Sequence, residues 1–152
     1  MNEIRRNFPD LPPVWALGLG AAAIALGRLP PLGAFADEFY HYLGLYMMGA
    51  GLLLAAWASW FFHARKTTIE PRGTPTRLIA EGPFRINRNP IYSGMVLMVF
   101  GANFAFGGPL GLIACAAFPV VVTRRFIAQE EETLLRLFGA EAERYLTTTR
   151  RW

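Results

Sequence analysis

FYHYLGLYMMGAGLLLAAWASWFF, residues 39 to 62, contains no aspartate, glutamate, lysine or arginine. As one helix these 24 residues extend about 36 Å, enough to cross a hydrocarbon core of roughly 30 Å with some tilt. The stretch therefore predicts a membrane-spanning helix. The rest of the composition agrees. The chain has 152 residues, 53% of them hydrophobic and 14% aromatic, with a mean hydropathy of +0.28. Those values exceed what a soluble domain of one-domain length carries.

Outward from this span the apolar segments can be placed in turn. Residues 14 to 29 carry no charge before Arg28, follow Pro13 at a favourable helix start, and hold Trp15 where an interfacial aromatic belongs. Residues 91 to 123 are uncharged as well, but one helix of that length would run about 50 Å, and Gly107, Gly108 and Pro109 interrupt it. A hairpin of two short spans, 91 to 106 and 110 to 123, is expected. The prediction is a single all-α integral membrane domain over 1 to 152, with about four transmembrane helices. A loop at 63 to 90 and a C-terminal amphipathic helix in 124 to 152 complete it. A cleavable signal peptide is not expected, since prolines interrupt the segment after Arg5 and Arg6 and further spans follow.

Charge sets the orientation. The net charge of +4 comes almost wholly from arginine, Lys66 being the only lysine. Four crossings place fourteen of the fifteen basic residues on one side and Arg28 alone on the other. The positive-inside rule then puts both termini and the 63 to 90 loop in the cytoplasm, and the protein in the inner membrane. Guanidinium groups favour phosphate, carboxylate or lipid headgroups. Cys115 is the single cysteine, and His41 and His63 stand apart, so no disulfide framework or metal site is expected. GLGAAA at 18 to 23 matches a dinucleotide pattern formally, but no strand precedes it, and small residues inside a span serve helix packing. Nothing points to nucleic acid.

The loop HARKTTIEPRGTPTRLIAEGPFRINRNP, 63 to 90, is long for a connection between membrane helices. Leu78, Ile79, Phe84 and Ile86 supply apolar anchors that a solvated linker lacks. Asn89 and Pro90 before the apolar run read as helix cap and first helical residue. Arg85, Arg88 and Tyr92 gather near that end, where a helix N-terminus, guanidinium groups and a phenol can hold an anionic or polar group. After the last span, a period of about 100° per residue puts Phe126, Ile127, Leu134, Leu137 and Phe138 on one arc, with Glu130 in its middle. Glu131 lies at the edge of the arc and Glu132 on the polar face. A carboxylate facing inward needs a partner. An arginine such as Arg85 or Arg88, a ribose hydroxyl or a ligand amine are the alternatives.

TTIEP (67 to 71), LIAEGPFRINRNPIYSG (78 to 94), EEETLLRLFG (130 to 139) and RRW (150 to 152) together resemble the isoprenylcysteine carboxyl methyltransferase family, related to the phospholipid N-methyltransferases. The resemblance covers about the last 90 residues. It implies a membrane enzyme of the S-adenosylmethionine-dependent methyltransferase class. The cofactor contacts it implies are Gly82, Pro83, Phe84, Asn89, Pro90, Tyr92, Glu130 and Glu131. Arg85, Arg88 and Arg151 are the candidates for holding the acceptor. Many relatives carry histidine where this chain has Asn89, which can hydrogen-bond a cofactor but cannot titrate as a base. The acceptor is expected to be a lipophilic small molecule, a lipidated peptide carboxylate or a lipid amine. An NADPH-dependent reductase of the sterol reductase type and a non-enzymatic four-span membrane protein are the alternatives.

Overall fold

The structure, a computed structural model, describes residues 9 to 65 and 75 to 152. TTIEP at 67 to 71, Arg5, Arg6, Lys66 and Arg72 lie outside the described residues. Helices account for the fold. They are α1 (Pro12–Gly27), α2 (Glu38–Ala64), α3 (Pro83–Ile86), α4 (Pro90–Phe106), α5 (Leu112–Val122), α6 (Ala128–Phe138) and α7 (Ala140–Thr148). Among the described residues no strand forms; a single β-bridge joins Asn87 and Arg150. α2 is one of two stretches long and apolar enough to cross a membrane, and Pro109–Phe138 is the other. α1 and α4 are apolar but shorter.

α2 begins where the Asp37 carboxylate accepts a hydrogen bond from Phe39 N–H at 2.8 Å, satisfying one of the unpaired amides of its first turn. It runs antiparallel to α4, and the two approach at matched glycines. A Cβ on Gly94 would lie 2.5 Å from the Gly51 carbonyl oxygen, and one on Gly101 would lie 2.6 Å from that of Gly44. Both helices thus spend glycines seven residues apart on one seam, which lets the backbones touch as close-packed membrane helices do. α1 and α5 pack on α4 as well. The core among them is Ala23, Tyr92, Val99, Cys115, Phe118, Val122, Phe126 and Ile127.

The expected turn at Gly107 to Pro109 is present. Asn103, fully buried, donates from Nδ2 to the Gly108 carbonyl at 3.2 Å, and the end of α1 presses so close that a Cβ on Gly27 would collide with residues 107 and 108. This end of the molecule also holds Arg28, whose Nε donates to the Phe106 carbonyl at 2.8 Å, and His41, whose Nδ1 lies 3.0 Å from the Ala105 carbonyl. At the opposite end Arg125 pairs with Asp10, Arg88 N–H donates to the Arg150 carbonyl, and Arg65 pairs with Glu81. Arg65, Arg88, Arg125 and Arg150 thus lie at the end opposite Arg28.

Two expectations are corrected here. The last span does not stop at 123: α5 continues through a π-helical turn, Thr123–Ile127, into α6 without a loop. An extra residue in that turn rotates everything after it by about 100° relative to a continuous α-helix. Glu131 moves from the edge of the inward arc toward its middle, and Leu137 leaves it, 42% exposed. The C-terminal helix is also two helices, broken at Gly139, whose φ of 50° suits a residue without a side chain.

Candidate active site

The described part of the loop is a wall built on α2. Ile79 and Phe84 are buried against Ala58 with Phe61, Phe62 and Ile91, as anchors should be, whereas Ile86 is 71% exposed and anchors nothing. Phe84 meets Phe62 edge to face at 5.3 Å. Gly82 has a φ of 56° and carries the Phe61 ring against its Cα, so a side chain there would be both strained and obstructed. Pro83 opens α3 and Pro90 opens α4, each at a position whose missing N–H leaves no helix bond unmade.

Asn89 occupies the residue before α4 but does not cap it: no side-chain bond reaches the first-turn amides. Its Nδ2 instead donates to the Arg151 carbonyl at 3.0 Å, and Asn87 receives the Asn89 N–H on Oδ1 at 2.6 Å while donating to Ser93 Oγ at 2.6 Å. The asparagine is a tie between two chain segments. Aspartate would lose that donor and set a charged oxygen against a carbonyl.

The two glutamates have different partners. Tyr92 donates its hydroxyl to Glu130 Oε1 at 2.6 Å. Glu131 receives Arg151 through Nε at 3.0 Å and Nη2 at 2.5 Å, and also lies 3.3 Å from Arg88 Nη1. Glu131 thus meets two arginines, in line with the register shift, and Glu130 is bonded to the phenol. Glu132 is exposed, as expected. The Glu131 hydrogen bonds hold the Arg151 pKa above its ordinary value. Arg88 keeps one further donor: its Nε is buried without a hydrogen-bond partner among the described residues.

These groups line a cavity of about 530 Å³. Phe84, Arg88, Asn89, Pro90, Tyr92, Glu130 and Glu131 are on its wall. Gly82, Pro83 and Arg151 do not line it, although Arg151 bonds the lining residue Glu131, and Arg85 is an exposed side chain outside the lining. The remaining wall is apolar and comes from the start of α1, from α2 and from the loop, including Pro12, Ala55, Phe62 and Ile79.

Tyr145 is a site residue that sequence reasoning missed. It lies on α7, lines the cavity and donates to the Phe84 carbonyl at 2.9 Å. Only the inward period of the short helix, Ala142 and Tyr145, could have signalled it. Burial pushes its pKa up to about 12, partly offset by the Arg88 charge. A raised acid pKa means the native state holds the proton more tightly. The stabilisation is therefore complete below the unfolded value near 10 and is lost as pH rises through about 12. Thermal unfolding should show stability falling across that window. Tyr145→Phe should flatten the dependence while costing about 1 kcal/mol at neutral pH.

A helical protein with membrane-length segments and, at one end, a cavity joining ionic groups to an apolar wall is the class that fold and site define. Residues 39–141 match the family described as Phospholipid methyltransferase. Two relatives from rice, Oryza sativa subsp. indica and subsp. japonica, are each described as a probable protein-S-isoprenylcysteine O-methyltransferase. Each is 31% identical to this chain over 115 residues, which are 70% of this chain and 57% of the relative. The chain thus spans a little more than half the length of these relatives. No solved structure matches. The chain belongs to the phospholipid methyltransferase family, with isoprenylcysteine-type methyltransferases among its relatives.

Proposed function

We propose that the protein is an S-adenosylmethionine-dependent methyltransferase that modifies a lipophilic acceptor at the cytoplasmic face of the inner membrane. One observation carries the reading: a single cavity brings Arg88, Asn89, Tyr92, Glu130 and Glu131 together with apolar walls from the membrane helices. The volume suits a cofactor of drug-like size. The unpartnered Nε of Arg88 suits its carboxylate, and the Glu130 carboxylate suits its ribose hydroxyls or ammonium group. When bound, S-adenosylmethionine supplies an electrophilic methyl carbon on a positively charged sulfur. The chain's own work is orientation and exclusion of water: Tyr92 fixes the Glu130 carboxylate, Arg151 fixes Glu131, and Phe84 and Tyr145 close the wall.

Calorimetry on the purified protein in detergent tests this. Binding of S-adenosylmethionine and of its demethylated product is expected, with none of NADPH. Glu130→Gln should lose about tenfold to a hundredfold in affinity, the equivalent of roughly 1.5 to 3 kcal/mol for a charged hydrogen bond. Glu132→Gln should bind as the wild type does, because its side chain is exposed. Tight NADPH binding in place of S-adenosylmethionine would instead identify a reductase.

In the same reading α1, α2, α4 and α5 are four spans, with residues 9 to 12, 63 to 90 and 124 to 152 on the cytoplasmic side. Single cysteines placed at Arg77 and at Asp37 test it. In intact cells an impermeant thiol reagent should label the second and spare the first; the reverse result inverts the topology.

A further inference from the structure

The three arginines that the sequence offers for holding the acceptor are placed badly for it. Arg85 is exposed and lies outside the cavity lining. Arg151 does not line the cavity either, and two hydrogen bonds commit its guanidinium to Glu131. Arg88 does line it, but is paired with the same Glu131, and its one spare donor suits the cofactor carboxylate.

A fourth arginine is on the wall. Arg77 lines the cavity with its chain neighbours Pro75, Leu78 and Ile79. Its side chain is exposed and makes no ion pair or hydrogen bond among the described residues. Its backbone is nonetheless held close. Ile79, two residues on, is buried against Ala58 with Phe62 and Phe84, and two residues span at most about 7 Å. Arg77 therefore stays beside the wall while its guanidinium is unclaimed.

The charges of the site point the same way. Among the described residues the lining carries Glu130 and Glu131 as carboxylates and Arg77 and Arg88 as cations, and Arg151 adds a further cation on Glu131. Cations exceed carboxylates by one, and Arg77 is the cation with no carboxylate beside it. A guanidinium in that position is a planar fork suited to an oxyanion. Pro12, Phe62, Leu78 and Ile79 make the same lining apolar, so the oxyanion that fits is the polar end of an amphiphile.

We propose that Arg77 is the specificity-determining residue of the acceptor site, receiving a carboxylate or phosphate at the polar end of an apolar acceptor while Arg88 serves the cofactor. The proposal rests on the methyltransferase reading for what the acceptor undergoes, but not for the binding of the anion. An amphiphile whose head is only cationic or uncharged gains nothing from Arg77 and is selected against.

Modification of arginines by phenylglyoxal, mapped by mass spectrometry on full-length protein in an uncharged maltoside detergent, tests the site. Dodecanoate or dodecyl phosphate should slow the reaction of Arg77 and leave Arg85 at its own rate, whereas dodecanol and dodecylamine should slow neither. Protection by only one of the two anions supports the assignment and identifies the oxyanion taken. A second measurement needs no reagent. The protecting anion should raise Tm by binding the native state, and in Arg77→Gln the concentration required should rise about tenfold or more, as the loss of a charged hydrogen bond implies. Arg77→Lys should restore part of the effect, and Arg85→Gln should behave as the wild type. Equal protection of Arg77 and Arg85 would overturn the proposal, as would a Tm response undiminished in Arg77→Gln. S-adenosylmethionine affinity should be unchanged in Arg77→Gln; a comparable loss there would assign Arg77 to the cofactor and overturn the proposal too. Absent S-adenosylmethionine binding with Arg77 protected refutes the methyltransferase reading alone, and S-adenosylmethionine binding with Arg77 unprotected refutes the acceptor assignment alone.

Discussion

Glu131→Gln is expected to unfold well below the wild type, with a loss of about 3 to 5 kcal/mol, which for a chain of this length lowers Tm on the order of 10 °C. The reason is the position of Arg88. Its side chain is only 15% exposed, as is that of Glu131, and Glu131 is its carboxylate partner at 3.3 Å. A neutral amide leaves a guanidinium in a poorly solvated site, and that desolvation is the larger part of the loss. Arg151→Ala should cost less, because Glu131 then retains Arg88 and Arg151 is itself 39% exposed. The double variant Glu131→Gln, Arg88→Met separates structure from function: removing both charges should recover much of the stability, while S-adenosylmethionine binding stays lost. Thermal unfolding in detergent reads the first effect and calorimetry the second. A Glu131→Gln protein that melts with the wild type would show that the Arg88, Glu131 and Arg151 cluster is not formed.

How much of this was legible in the sequence follows from which forces act locally. The helical spans were readable because an uncharged run leaves the backbone no partner in lipid but itself. The starts at Pro12 and Pro90 lie at or beside the prolines read as helix starts, whereas the Asp37 cap of α2 was not foreseen. Gly82, Phe84, Asn89, Tyr92, Glu130 and Glu131 were recognisable as a group from their motifs, and seven of the proposed positions do share one cavity wall. What failed was anything that depends on register between segments. The π-turn at Thr123–Ile127 leaves no mark in composition, yet it brings Glu131 to Arg88 and Arg151. Asn89 fits a helix cap by local statistics, but a carbonyl 62 positions further on takes its side chain instead. Tyr145 belonged to no motif and owes its role to the same long-range packing.

The α2–α4 crossing carries the other large effect. Gly94→Leu should yield no monodisperse protein, and Gly101→Leu the same, because in each the added carbon runs into a backbone carbonyl that no rotamer change can move. Overpacked cores ordinarily lose about 1 to 3 kcal/mol by letting side chains yield; here the helices themselves must part, and the close contact that holds them in lipid is lost along the whole seam. Gly49→Leu provides the comparison on α2, the other helix of the crossing. Gly49 has open space where its Cβ would be, so leucine there should leave expression, monodispersity and melting unchanged. Gly18, equally open on α1, should tolerate leucine too. Size-exclusion chromatography of the four variants decides between a seam set by these glycines and a bundle held only by bulk hydrophobicity, in which all four would behave alike. The same seam places the start of α4, and with it Asn89 and Tyr92, against α2 and under α6. Gly94→Ala, the mildest intrusion, should therefore weaken S-adenosylmethionine binding before it prevents folding.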